Sequence, residues 1–315
     1  MLVVIARRLV MLVPILLGIS VLTFVAMNLI PGDLAVLLIG PDGVQDPVVL
    51  ANIRREYGLD QPLAVQYLRW LGNVVQGDFG DSLRLKVPVL GEIVRRLPVT
   101  LELAVLSLAF ALVVGGTVGV LAATRGPFWR TVGRTFTIAG VAVPNFLLGT
   151  LLILYGGRYL PGIPTLRYVS FGDDPARHLL GMIYPVIALG TGLAAVIAEN
   201  TMSAVRETIG HEYVRVGRAK GLNERAVLVR YVLRNGLIPI ITVTGLQAGV
   251  LLGGTIITET IFALPGLGRL ALSAVTLRDY PLMQGIVIVV ATMVLVTNLI
   301  ADLAYAAADP RIRIS

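Results

Sequence analysis

The sequence predicts an all-α polytopic membrane protein with six transmembrane helices, and three observations carry that expectation. Residues classed as hydrophobic make up 56% of the chain against 14% charged, and mean hydropathy is +0.84, well outside the balance of soluble domains. Six stretches are apolar over about the 20 residues that a hydrocarbon core of about 30 Å demands: 10–30, 100–123, 131–155, 179–198, 237–262 and 282–306. Arginine is distributed unevenly between the segments joining them, as the positive-inside rule requires.

The first stretch follows Arg7 and Arg8 but is too long for a cleaved leader and has no small-residue cleavage site near Asn28 to Asp33, so residues 1–30 are read as a terminus and retained span. Residues 31–97 form a folded element outside the membrane. Asp46 is placed to cap a helix with Pro47 at its first position and Gly58 past its end, and Pro62 to open a second. Leu63, Tyr67, Leu71 and Val74 give that second helix one apolar face, suited either to simple packing on the membrane surface or to covering the mouth of a pathway. Residues 98–315 then hold five spans. Small-residue faces in the second span (Gly115, Gly116, Gly119) and the fifth (Gly245, Gly249, Gly253, Gly254) are expected where helices approach closely. Pro144-Asn145 interrupts the third.

Residues 202–239 differ from their surroundings. They are basic and amphipathic, and predict two short helices joined by a turn. Gly221 supplies the positive φ a reversal can need. Asn223 caps a helix over 224–234, and Asn235-Gly236 stops it. Val227, Leu228, Tyr231 and Val232 share one face, with Arg225, Arg230 and Arg234 around the rest. By this pattern alone the arginines serve either to meet anionic lipid or to dock a partner.

With the termini inside, the inner segments carry fourteen of the arginines and lysines: Arg7, Arg8, Arg125, Arg130, Arg134, Arg206, Arg215, Arg218, Lys220, Arg225, Arg230, Arg234, Arg311 and Arg313. The two short outer loops carry Arg158, Arg167, Arg177, Arg269 and Arg278. The long 31–98 segment has seven basic and eight acidic residues, and segments of that length cross largely regardless of charge. The net charge of +7 is spread among loops rather than gathered beside stacking aromatics, which argues against nucleic acid. Cysteine is absent, so neither disulfides nor thiolate metal sites are available. The two lysines, Lys86 and Lys220, lie in no phosphate-binding loop. The histidines, His178 and His211, stand apart and outside the predicted spans, so zinc-protease and intramembrane serine-protease chemistry have no base to use.

The run Tyr213, Val214, Ala219, Lys220, Gly221, Leu222, then Leu233-Arg234-Asn235 and Ile238-Pro239, resembles the EAA loop of the permease subunits of dipeptide, oligopeptide and nickel ABC transporters. Gly217 stands where that family usually has alanine, Tyr231 where it often has histidine, and Arg215 where the general pattern has glutamate. The likeness extends over nearly the whole chain. Arg7-Arg8-Leu9 through Pro31-Gly32-Asp33 and Arg96 to Leu103 are similar to the opening of the first permease of such systems. Glu259 to Phe262, Pro265 to Arg269, Arg278 to Pro281, Asn298-Leu299, Asp302-Leu303, Tyr305 and Asp309-Pro310-Arg311 match its closing parts.

The resemblance implies a non-catalytic, multi-pass plasma-membrane subunit with both termini cytoplasmic, pairing with a second, related permease. Two cytoplasmic ATPases would dock on the paired loops and bind ATP and Mg; this chain would need no cofactor or metal. An extracytoplasmic solute-binding protein would deliver peptides or related solutes. Tyr213, Val214, Arg215, Arg218, Ala219, Lys220, Gly221 and Leu222 would carry coupling, with Arg215, Arg218 and Lys220 offering charge. The alternative is an ion-coupled secondary transporter, but Glu102, Glu199, Glu259 and Asp302 fall toward span ends rather than at the midplane. Asn145 and Gln247 either line a polar pathway or make ordinary interhelical hydrogen bonds.

Overall fold

A computed structural model describes residues 2–29, 36, 47–56, 58–236 and 238–308, and among these every regular element is helical. Expectations resting on Asp46, on the Pro31-Gly32-Asp33 motif, on Leu237 as a span start and on residues beyond 308 lie outside the described residues. Among the described residues, five helices are long and apolar enough to cross a bilayer, and a bent pair makes a sixth if counted as one span. The chain divides into two compact units, Met1–Leu97 with Leu270–Met293, and Pro98–Arg269 with Val294–Ser315.

The first unit opens with α1 (Leu2–Leu29), followed by α2 (Pro47–Glu56) and α3 (Leu63–Val75). Gly58 follows α2 at φ +66° and Pro62 precedes α3, as the turn chemistry predicts. Tyr67 on the apolar face of α3 meets α1: its hydroxyl lies 2.8 Å from Ser20 Oγ and its ring packs edge-on to Phe24. Residues 81–88 close a short hairpin. Asp279, which is 1% exposed, organises the end of this unit. It accepts hydrogen bonds from Ser82 Oγ, from the Leu83 and Arg84 amides at 3.2 and 3.3 Å, and from the Leu282 amide. One carboxylate thus pins the hairpin and caps α12 (Tyr280–Ala308). In sequence, α11 (Leu267–Leu277) precedes Asp279.

α4 (Val89–Thr124) begins well before the predicted residue 100. Glu92 holds Arg96 at 2.7 Å and Arg95 at 3.2 Å, and such i,i+3 and i,i+4 pairs extend the helix ahead of its apolar stretch. The predicted third span is two helices, α5 (Pro127–Ala142) and α6 (Asn145–Tyr159), bent by 100°. Pro144 explains the break. It lacks an amide hydrogen and pushes Val143 out of helical geometry, to φ −85°, ψ 117°.

α7 (Pro175–Ile209) overshoots the predicted 179–198 at both ends. The Asp174 carboxylate accepts the Arg177 amide at 3.0 Å and Pro175 occupies the first helical position, an N-terminal signature present in the sequence. His178 therefore lies inside this helix, which corrects the expectation that no span contains a histidine. It is buried and not alone: Nε2 lies 2.6 Å from Glu102 Oε1 and Nδ1 2.8 Å from the Val169 carbonyl oxygen. Facing a carbonyl, Nδ1 must donate, so the proton in the short Nε2–Oε1 contact belongs to one or other partner. Tyr168 and Phe171 pack edge-on to the imidazole. Burial, then the nearby Glu102 and Asp173 charges, raise the Tyr168 hydroxyl above its ordinary pKa.

α10 (Ile238–Ile261) ends beside a second buried carboxylate. Glu259 accepts Thr100 Oγ1 at 2.7 Å and the Arg269 amide at 3.0 Å, while Thr100 Oγ1 accepts the Leu267 amide. Close helix approaches in this unit run through small residues. A Cβ on Gly119 would lie 2.6 Å from Thr201 Cβ and 2.7 Å from the Ala198 carbonyl, and Gly115 faces the Ala194 carbonyl as tightly, so α4 and α7 touch backbone to backbone. Gly245 and Gly249 serve likewise against Ala301 and Asn298 of α12, and Gly254 faces Leu189. Gly116 and Gly253 face nothing within 4 Å in this chain, so they take no part in these approaches.

Two stability results are expected. Gly119→Leu drives a side chain into the α7 backbone and lowers the thermal midpoint of the detergent-purified chain, at a cost of about 1–3 kcal/mol or more. Asp279→Ala strands buried donors at about 1–3 kcal/mol and makes residues 81–88 a site of rapid limited proteolysis; unchanged cleavage there would contradict the pinning role.

Candidate functional site: a hairpin sealed to two helices

After α7 the chain reverses at Gly210-His211, forms α8 (Glu212–Ala219), turns at Lys220-Gly221 and enters α9, which runs as Glu224–Val227, a wide π stretch Leu228–Leu233 and Arg234–Gly236. Gly221 sits at φ +77°, its amide donating to the Arg218 carbonyl at 2.9 Å. That conformation costs a side-chain-bearing residue about 1–2 kcal/mol. Asn223 Oδ1 accepts the Ala226 amide at 2.7 Å, the expected N-cap. The expected stop is displaced, because Asn235 and Gly236 are themselves helical and Asn235 bonds back to the Tyr231 carbonyl.

The hairpin is joined to the long helices by a core of its own. Val205 of α7, Val214 of α8, and Val227 and Val232 of α9 are each at most 1% exposed, with Val120 and Ala123 of α4, Ile209, Leu222, Leu228, Tyr231 and Leu233 packed around them. Each buried valine contributes about 1.5–3 kcal/mol relative to exposure. The π stretch matters here: residues five apart diverge on an α-helix, whereas i→i+5 geometry brings Val227 and Val232 onto one face. Arg206 adds a polar strut, its Nη2 donating to the Ala122 carbonyl at 3.2 Å near the end of α4.

The predicted coupling residues split into two faces. Val214 is fully buried, Gly217 faces the Tyr231 ring, which a Cβ there would meet at 3.7 Å, and Leu222 is half-buried against the core. Tyr213, Arg215, Ala219 and Lys220 are exposed, as is Val216 at 52%; Tyr213 stacks on His211. Arg218 is held within the hairpin instead, its Nε and Nη2 donating to the two Glu224 oxygens at 3.0 and 3.2 Å. Sequence reading missed this pair because its partners are six residues apart across a turn, a separation with no helical signature.

Asn145 and Gln247 are both half-buried. Asn145 opens α6 with its Oδ1 against Gly192 of α7, and no hydrogen bond among the described residues joins it to Gln247. No group of three or more metal-ligating residues occurs among the described residues.

The class of protein, a transporter permease, is defined by comparison with known proteins. The chain is a member of a specific family: residues 115–314 match the "Binding-protein-dependent transport system inner membrane component" and residues 1–104 the N-terminal part of such membrane components. It is 40% identical to the dipeptide transport system permease protein DppB of Escherichia coli K12, over 98% of each chain, and 40% identical to the glutathione transport system permease protein GsiC of Salmonella paratyphi A, over 98% of this chain and 97% of that one. Its fold is similar to a chain of the inward-facing MetNI methionine ABC transporter, with a TM-score of 0.57 over 69% of this chain and 96% of that one at 19% identity. The protein is thus a non-catalytic, multi-pass inner-membrane permease of an ABC importer rather than a secondary transporter. The family works with a second permease, ATPases and a binding protein.

Because the Arg218–Glu224 pair is exposed, it is worth about 0–1 kcal/mol. Glu224→Gln should leave the thermal midpoint within about a degree or two, whereas Val214→Asp, which buries an unpaired charge, should prevent stable assembly; a large drop for Glu224→Gln alone would show the pair to be structural.

Proposed function

We propose that this chain and a related second permease form the translocation pathway of an ATP-driven importer for short peptides or related small solutes, with hairpin 202–239 as the contact through which two cytoplasmic ATPases drive it. The observation that carries this is the valine core. A partner pressing on the exposed stripe of Tyr213, Val216, Ala219 and Lys220 cannot displace α8 without moving α4 and α7, because Val214 and its neighbours leave no compliant layer between. Arg215 and Lys220 supply the free positive charge, Arg218 being occupied by Glu224. ATP and Mg belong to the ATPases, whose closure would move the hairpin as a rigid body; α4 and α7, sealed together at Gly115 and Gly119, would follow. Both termini and the hairpin face the cytoplasm in this reading, supported by fourteen basic residues on that side against five in the short outer loops. Peptide-like substrates are supported by the named transport of the dipeptide and glutathione relatives.

The sharpest test is Gly221→Asp. Nothing lies within 4 Å of the position, so the variant should reach the membrane, yet a strained and negatively charged turn should uncouple uptake from ATP hydrolysis; normal uptake would falsify the docking role. Orientation is checked separately, since the native chain has no cysteine. A Lys220→Cys variant should react with an impermeant maleimide only in inverted vesicles and Arg84→Cys only in right-side-out ones; the reverse pattern would invert the topology.

A further inference from the structure

The start of α7 carries a buried group that the coupling hairpin does not use. His178 is engaged through both ring nitrogens: Nε2 lies 2.6 Å from Oε1 of Glu102 on α4, and Nδ1 2.8 Å from the carbonyl oxygen of Val169, in the segment 160–174 that joins α6 to α7. Tyr168 and Phe171 close edge-on over the imidazole. One ring thus fastens residues 168–171 to α4 and to the start of α7. The void beside it, walled by Pro164, Met182, Phe262 and Leu264, holds about 10 Å³, room for at most one water.

The Val169 carbonyl and an ionised Glu102 are both acceptors, so the two contacts need two protons. One sits on Nδ1 and the other lies between Nε2 and Oε1. Removing one leaves a single proton for two bonds. If it stays on Nδ1, the Nε2 lone pair faces a carboxylate at 2.6 Å; if it moves to Nε2, the Nδ1 lone pair faces a carbonyl at 2.8 Å. The bond to the ionised carboxylate is charge-assisted and the stronger of the two, so the proton goes to Nε2 and the Val169 carbonyl is repelled. Withdrawal of Glu102 is no escape: its side chain is 30% exposed but that of His178 only 1%, and leaving would strand Nε2 in a dry site. Adding a proton has no such effect, because an imidazolium donates from both nitrogens and a neutral carboxyl keeps an oxygen to accept.

We propose that Glu102, His178 and the Val169 carbonyl form a proton-operated latch, closed while it holds two protons and released at alkaline pH by loss of one, which frees segment 160–174 from α4 and α7. The other charged groups nearby do not duplicate it. Arg167 and Asp173, both exposed, bring one charge of each sign from the segment itself. Asp174 and Arg177 pair with one another at 3.4 Å at the start of α7. Phe262 and Leu264, past the end of α10, bring no charge, and Glu259 on α10 is bonded to Thr100 and the Arg269 amide. Tyr168 is the neighbour that can also lose a proton at high pH, and it needs its own control. In the orientation proposed above the segment lies outside, so the latch reads extracytoplasmic pH; only that compartment assignment rests on the importer reading.

The test uses the full chain in lipid nanodiscs without nucleotide, where both faces meet the same pH and neither orientation nor hairpin coupling enters. The native chain has no cysteine, so a nitroxide on Leu166→Cys, an exposed position in the segment, reports its mobility by electron paramagnetic resonance. The mobile fraction of the spectrum should rise at least about threefold between about pH 6 and 9.5, follow a one-proton curve and reverse on acidification. Glu102→Gln replaces the shared proton with a permanent amide donor to Nε2, so its mobile fraction should stay within about 1.5-fold over the same range. His178→Phe, which fills the site but makes neither bond, should be mobile at every pH, and Tyr168→Phe should keep the unsubstituted profile. A flat profile in the unsubstituted chain, an equal alkaline rise in Glu102→Gln, or an immobile label in His178→Phe would overturn the latch. Loss of the rise in Tyr168→Phe would overturn it too, by assigning the proton to the phenol. None of these results touches the uptake phenotype of the hairpin variant.

Discussion

The exclusion of water from Val205, Val214, Val227 and Val232 is the constraint on which the rest of the functional structure depends. A helix of eight residues such as α8 is too short to be stable by propensity alone; it exists because its apolar side has somewhere to go. That burial fixes which face of the hairpin is left outside, and so which residues a partner can meet. It also decides how displacement travels: close-packed side chains have little compressibility, and the joint at Gly115 and Gly119 adds backbone contact beneath them.

Two buried carboxylates play a comparable organising role, each within its own unit. Asp279 gathers a serine hydroxyl and several backbone amides, and Glu259 does the same with Thr100 and the amide at Arg269. Both meet backbone donors left free at a helix N-terminus: Asp279 immediately precedes α12, and Glu259, near the end of α10, reaches the first turn of α11. Neither is arranged as a proton relay, which agrees with a transporter whose driving force is supplied by partner ATPases.

What could be read in the sequence was local. The turn at Gly221, the cap at Asn223 and the break at Pro144 each follow from the conformational restrictions of one residue, whereas Val227 and Val232 share a face only through the π stretch, which no spacing announces. The start of α7 was equally legible in Asp174-Pro175 but was masked by taking hydropathy as the guide to helix length. Contacts between distant residues were not legible. Glu102 and His178 are 76 positions apart, and nothing in either neighbourhood announces the other. Gly116 and Gly253 resemble their packing neighbours in composition, yet only backbone rotation decides which glycine faces a helix.

The 100° elbow between α5 and α6 has a consequence for where lipid can be. A helix that stops leaves its last carbonyls without intrahelical donors; Val143 satisfies the one at Ala139, and Pro144 has no hydrogen to offer the rest. In hydrocarbon each unmet backbone group costs several kcal/mol, so irregular backbone at bilayer depth survives only against protein or water. At bilayer depth the elbow would therefore have to face protein or water rather than acyl chains. Whatever shares its surface, a partner helix or a hydrated passage, must bring hydrogen-bond donors, and lipids are confined to the remaining sides of the α5–α6 pair.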